Sequence, residues 1–199
     1  MEWALPLEEF IRESLTVLNQ EVPFDIDLVF TRTLEFFRER YKQMMLRSGY
    51  ASDLVEAVIS VEFNRIDQLG SRLDQVRRFV SESEEFHELA LTFKRVTNIL
   101  KKQEGSYGVD PGLFRDASET ALWEVFEGMK DGVGQCLEKD DYYEAMNRMV
   151  RLRRPVDEFF DNVEILTRDD QALRKNRVGL LQHLSCFFRQ VADFSRFSI

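Results

Sequence analysis

The side chains in this sequence able to do chemistry are of two kinds, and the acid–base and nucleophilic kind is sparse. His87 and His183 are the only histidines, and Cys136 and Cys186 the only cysteines. Their spacing matches neither a zinc site nor a Ser-His-Asp arrangement. The glycines at 128, 132 and 134 lack the Gly-Lys-Ser/Thr ending that sets a lysine on phosphates, so no P-loop is expected. The carboxylate pairs Asp140-Asp141 and Asp169-Asp170 stand at helix starts, where capping explains them better than catalysis. No catalytic residue, metal ligand or cofactor site is therefore expected.

The second kind is basic residues interleaved with aromatics and amides. In Phe93-Lys94-Arg95-Val96-Thr97-Asn98-Ile99-Leu100-Lys101-Lys102, a helix puts Lys94, Asn98 and Lys101 on one face, opposite Phe93, Val96 and Leu100. Arg174, Lys175, Asn176 and Arg177 open a later helix, where free N–H groups and the helix dipole already favour an anion. Arg174 and Arg177 are expected to lie off the Leu173/Leu180/Leu184 stripe. Arg151, Arg153 and Arg154 form a third basic cluster. Such clusters are either phosphate docks or solvated helix faces, and charge alone favours the solvated reading. The net charge is −9, yet residues 71–103 carry +2 and 147–199 carry +3, against −6 over 1–70 and −8 over 104–146. The cations are segregated where a polyanion could dock.

The elements that must position these groups read as helices throughout. The 44% hydrophobic and 12% aromatic content supplies a core, and no period-2 alternation bounded by turn residues occurs. Phe30, Leu34, Phe37, Tyr41 and Met44 have the spacing of one buried helix stripe, stopped by Ser48-Gly49-Tyr50. A second helix is expected from about Asp53 to Leu69-Gly70. Ser81-x-x-Glu84 has the form of a capping box opening a helix along Phe86, Leu89, Phe93, Val96 and Leu100, as does Asp116-x-x-Glu119 before Leu122, Phe126, Met129 and Val133. The three glycines of that later helix each weaken it by about 1 kcal/mol relative to Ala, so it must lean on tertiary packing or fray. Asp141 starts another helix, Pro155 kinks or restarts it, and Asp169-Asp170 caps the last. The Gly/Ser/Tyr/Pro-rich stretch around 103–112 is the candidate linker, exposed to nicking. It gives an all-α helical bundle of two helical subdomains, 1–103 and 104–199. Both cysteines sit among apolar residues, as reduced core thiols of a cytoplasmic protein do. No apolar run is long enough to span a membrane. Met1-Glu2-Trp3 runs straight into a helical pattern, as when an initiator Met precedes an internal segment.

The basic strings also resemble a known family. Lys94-Arg95-Val96-Thr97-Asn98-Ile99-Leu100-Lys101 resembles the KRVxNIL signature of the glycyl-tRNA synthetase β-subunit family. Val156-Asp157-Glu158-Phe159-Phe160-Asp161-Asn162-Val163 is similar to its DxFFDxVMV segment, and Asp170-Gln171-Ala172-Leu173-Arg174-Lys175-Asn176-Arg177 to its DxxLRxNRLxLL. Tyr143-Glu144-Ala145-Met146 resembles YxxAL, and Val191-Ala192-Asp193-Phe194-Ser195 the closing RVADxS. The sequence departs from the pattern at Glu164-Ile165-Leu166-Thr167, where the family prefers Met-Val-Met, and at Gly179, which replaces a larger residue.

The resemblance implies the C-terminal portion of such a subunit, with a DALR-like anticodon-binding bundle related to that of arginyl-tRNA synthetases. It implies a glycine-specific tRNA as partner, together with a separate α subunit that holds the ATP and glycine site. This piece would then be non-catalytic and cofactor-free, with no DNA or membrane partner. Its phosphate-docking residues would be Arg174, Lys175 and Arg177, with Asn176 and Asn162 as base-reading candidates, either of which could equally be a helix-end hydrogen-bonder. Arg151, Arg153 and Arg154 would form a second surface, extended by Lys94, Lys101 and Lys102. The rival reading is a helical subunit-assembly module without RNA contact, which the acidic surface of residues 1–103 would suit.

Overall fold

The structure is a computed structural model and describes residues 6–199, so Met1-Glu2-Trp3 lies outside the described residues, while the helical pattern expected after it is there from Leu7. The described residues form α-helices and short 3-10 turns and contain no strand. An antiparallel pair, α1 (Leu7–Glu21) and α2 (Ile26–Arg47), leads into α3 (Ser52–Ile59), α4 (Ile66–Glu82) and α5 (Phe86–Leu100). After a non-helical stretch come α6 (Ala117–Glu138), α7 (Tyr142–Met149), α8 (Arg153–Asn162) and α9 (Gln171–Phe188).

Local capping signals hold at Asp116, Asp141 and Asp170. Asp116 and Glu119 close a reciprocal capping box on α6, and Asp141 and Asp170 accept the amides of Glu144 and Leu173. Gly49, at φ 87°, takes the left-handed conformation that ends α2. Pro155 sits in the first turn of α8, which restarts the chain after the 3-10 turn Val150–Leu152. Helix α6 runs its full 22 residues despite its glycines, held by packing against α7 and α8.

Three expectations fail, the first two because a tertiary contact outweighs the local signal and the third because little of this chain covers the helix face. The helix expected over 53–70 is two helices, broken at 60–65, and Gly70 lies inside α4. At the break Asn64 turns its carbonyl and side-chain oxygens to the amides of Leu7 and Glu8, docking the start of α1, while Phe63 packs edge-on to Tyr41. Ser81 does not open α5. Its hydroxyl donates back to the Arg78 carbonyl in the last turn of α4, and Glu85 precedes α5 without a side-chain cap. Phe79, fully buried against Phe86 and Tyr143, carries α4 past the expected stop. In the α2 stripe only Tyr41 is buried; Phe37 and Met44 are 41% and 52% exposed.

A single apolar core runs from Tyr41 to Phe197, on both sides of residue 104. Helix α5 supplies Leu89, Phe93 and Val96 to it and packs on α8 and α9. The 103–112 stretch is not a free linker but a strap laid along α9. Asn176 donates to the Asp110 carbonyl and accepts its amide, while Gln182 donates to the Gly105 carbonyl and accepts the Tyr107 amide. Of the two cysteines, Cys136 is buried as expected but Cys186 is exposed on α9.

Candidate nucleic-acid interface

Folding the chain brings two of the basic strings together. Lys101 and Lys102 follow the C-terminus of α5, and Arg174 and Lys175 lie in the first turns of α9, beside which the strap passes. Lys102, Arg174 and Lys175 line one cleft of about 320 Å³ with Gln103, Tyr107 and Gln171. Arg174 donates to the Gln103 Oε1 at 3.1 Å, tying two lining residues together. The Lys175 ammonium stands 5.9 Å from the Tyr107 ring centroid, within cation–π range. Three cations against the lone carboxylate of Glu104 give the cleft a net positive lining.

The other expected members divide. Arg177 is a correction: it is only 7% exposed and belongs to the core. Its Nε and Nη2 donate to the two Glu119 carboxylate oxygens at 2.9 and 3.3 Å, and its Nη1 donates to the Glu164 carbonyl at 2.9 Å. All three guanidinium nitrogens are thus engaged inside the protein, away from any phosphate. Asn176 is a second correction, because it is buried and spends its amide on Asp110 of the strap. Arg153 is half-buried and ion-paired to Glu88 and Asp157. Arg151 and Arg154 remain exposed. Because Arg153 meets α5 at Glu88 and Lys102 follows its other end, the two basic surfaces stand roughly 20 Å apart along the helix. Lys94 is half-buried and reaches the Ile199 carbonyl at 3.5 Å, and Lys101 is exposed near Asn98.

The Glu119–Arg177 pair positions this interface rather than forming it. Glu119 is fully buried and also accepts the amides of Arg115 and Asp116, so one carboxylate ties the start of α6 to α9. Burial pushes its carboxyl up, but hydrogen bonds from Arg177 and the two amides, with the Arg177 charge, outweigh this and hold it below the usual range. A carboxyl more acidic in the folded than in the unfolded chain contributes stability above the unfolded value, near pH 4.3. That contribution is lost as pH falls through the lower folded value. The melting temperature of the parent chain should therefore fall more steeply below about pH 4.5 than that of Glu119→Gln, which starts lower and changes less. Parallel pH profiles in thermal melts would remove the pair from this role.

Sequence reasoning passed over Tyr107, which lines the cleft, and the proximity of His183 and Cys186, one turn apart on α9. Helical spacing would have found the latter; nothing local marks the former. Among the described residues no group of three or more His, Cys, Asp or Glu side chains converges as a metal would need, and no helix is long and apolar enough to cross a membrane.

Comparison with known proteins places this geometry in context. Residues 89–193 match the family model described as the DALR anticodon binding domain, which takes in the cleft and the Glu119–Arg177 pair. The glycine–tRNA ligase beta subunit of Syntrophus aciditrophicus (strain SB) is 32% identical over 195 residues, covering 98% of this chain and 28% of that protein. The same-named subunit of Geobacter sp. (strain M21) is 35% identical over 97% of this chain and 28% of its own length. That of Thiobacillus denitrificans is 39% identical over 81% and 23%. The chain thus spans about a quarter of the length of these curated relatives.

Proposed function

The chain belongs to the DALR anticodon binding domain family, and from that premise we propose that it is the tRNA-holding arm of a glycine–tRNA ligase β subunit. Its task is to grip the anticodon arm of glycine tRNA through phosphates seated on Lys102, Arg174 and Lys175. ATP and glycine are handled by a separate α subunit, so this arm needs neither catalytic residues nor a cofactor, and it works in the cytoplasm. The observation that carries the reading is the convergence of those cations on one cleft of an otherwise acidic chain. Arg151 and Arg154, exposed near the far end of α5, supply a second contact to a ligand long enough to bridge about 20 Å.

The test is a titration with glycine tRNA at several salt concentrations. Replacing Lys102, Arg174 and Lys175 together by Ala should weaken binding by about 10- to 100-fold. It should also flatten the dependence of log affinity on log salt by about 0.7–0.9 for each phosphate no longer neutralised. The melting temperature should hardly move, since none of the three is buried. Unchanged affinity and slope would refute the docking role.

The first two helices favour a different use. Phe10, Val17, Leu18, Phe36 and Met44 are all more than half exposed, more apolar surface than two solvated helices usually carry. Residues 6–47 therefore serve subunit assembly, and a mass measurement of the complex with a chain lacking them would show lost association but retained tRNA affinity.

A further inference from the structure

Helix α2 carries a stripe of mixed character that the described residues leave uncovered. Arg32, Phe36, Arg40, Met44 and Arg47 follow one another at three- or four-residue steps, which sets them on one helix face. All five are exposed, Phe36 at 61% and Met44 at 52%, and Phe37 beside them is exposed as well. Arg40, Met44 and Arg47 also line a depression of about 560 Å³ with Phe37, Tyr41 and Ile66, the first residue of α4.

The three arginines have no acidic partner among the described residues. The ion pairs of the first two helices are Arg12–Asp27, inside the hairpin, and Lys42–Glu56, to α3. Glu39, on the same helix, accepts from Gln43 instead. Yet residues 1–70 carry a net charge of −6, so carboxylates are plentiful in this part of the chain and lie elsewhere. Unpaired guanidinium groups beside exposed Phe and Met ask two things of a ligand at once: carboxylates and apolar side chains, at matching spacing. A phosphate backbone supplies anions only and leaves the apolar residues in water. An amphipathic helix with acidic flanks supplies both.

We propose that this face of α2 docks an acidic amphipathic helix of a partner polypeptide, its apolar ridge on Phe36, Phe37 and Met44 and its flanking carboxylates on Arg32, Arg40 and Arg47. The inference rests on the assembly reading of residues 6–47 and adds to it a surface and a partner chemistry. Apolar contact supplies the affinity, and the arginines choose among helices, because a basic flank would set like charges against each other.

The test is direct binding by the full 199-residue chain. The probe is a synthetic amphipathic helix of about 20 residues, some 30 Å long, with leucines along one stripe and glutamates on both flanks. One control peptide carries lysine for every glutamate, and another keeps the glutamates but carries serine for every leucine. The glutamate–leucine peptide should bind about tenfold tighter than either control. Arg40→Glu with Arg47→Glu should turn the preference toward the lysine peptide without lowering the melting temperature, because both side chains are exposed. Phe36→Ala with Met44→Ala should weaken the glutamate peptide while keeping its advantage over the lysine one. If the glutamate and lysine peptides bind equally, or charge reversal leaves the preference unchanged, the proposal falls. Displacement of the peptide by oligouridylate would make the face an RNA surface instead. A chain that is itself a dimer, and that the charge reversal separates, would make a second copy the occupant. If no peptide binds while removal of residues 6–47 still releases the chain from its complex, the assembly reading stands without an acidic helix as its means.

Discussion

Arg177→Ala should lower the melting temperature by about 10 °C, which corresponds to roughly 3–5 kcal/mol for breaking a buried ion pair in a chain of this size. The loss is large because the substitution strands its partner. Glu119 has no exposed surface, so its carboxylate would keep two backbone amides and lose both guanidinium bonds and the countercharge. The Glu164 carbonyl would lose its donor as well. Replacing the pair by Glu119→Leu and Arg177→Met should recover much of the stability, since hydrophobic replacements of buried pairs are often near neutral. Well below its melting point, the Arg177→Ala protein should bind tRNA with nearly the parent salt slope, because Lys102, Arg174 and Lys175, the cations proposed to dock phosphate, are still in place. Circular dichroism melts alongside the salt titration separate the two roles. An unchanged melting point with a flattened slope would return Arg177 to the interface.

The burial of Arg177 is legible in the helical spacing. It stands four residues after Leu173 and three and seven before Leu180 and Leu184, which puts it on the apolar stripe rather than beside it. Residue chemistry points the other way: an arginine next to Arg174 and Lys175 looks like part of a basic patch. What the sequence hides is the partner, Glu119, 58 residues upstream. Its capping-box spacing is visible, but a capping glutamate is ordinarily solvated, and only the packing of α6 on the rest of the bundle buries this one.

The same division runs through the fold. Asp116, Asp141 and Asp170 act within three residues of themselves, so their caps can be read locally. Ser81-x-x-Glu84 offers the same local signal, yet Phe79, packed on Phe86 and Tyr143, carries α4 into it as far as Glu82. For α2 the periodicity indicates a stripe but not what covers it, and within this chain much of that stripe faces solvent. The cleft lies between these cases. Its cations stand out by type and spacing, whereas the meeting of the end of α5 with the start of α9 depends on the core that Phe93 and Phe188 share.

Gly179→Leu should have the next largest effect, because it strikes the strap that lines this cleft. At Gly179 a Cβ would stand 2.6 Å from the Gly108 carbonyl oxygen and 3.0 Å from that of Tyr107. Both obstacles are backbone and cannot swing aside as a side-chain tip would. This close approach explains why the chain carries glycine where the family pattern has a larger residue: the strap lies directly on α9. Asn176 and Gln182, on either side of Gly179, hold the strap by four hydrogen bonds, and lifting it strains all of them. Overpacking of this kind costs about 1–3 kcal/mol and sometimes more, a fall of several degrees in melting temperature. Gly179→Ala should show a smaller loss in the same direction. The displaced strap also carries Tyr107 away from Lys175, so tRNA affinity should drop although no cation has been touched. Chymotrypsin provides the direct readout. Cleavage at Tyr107 should be slow in the parent chain, whose strap is pinned, and fast in Gly179→Leu. Rapid cleavage there in both proteins would mean that the strap is loose in solution and that Gly179 owes its identity to something other than its approach.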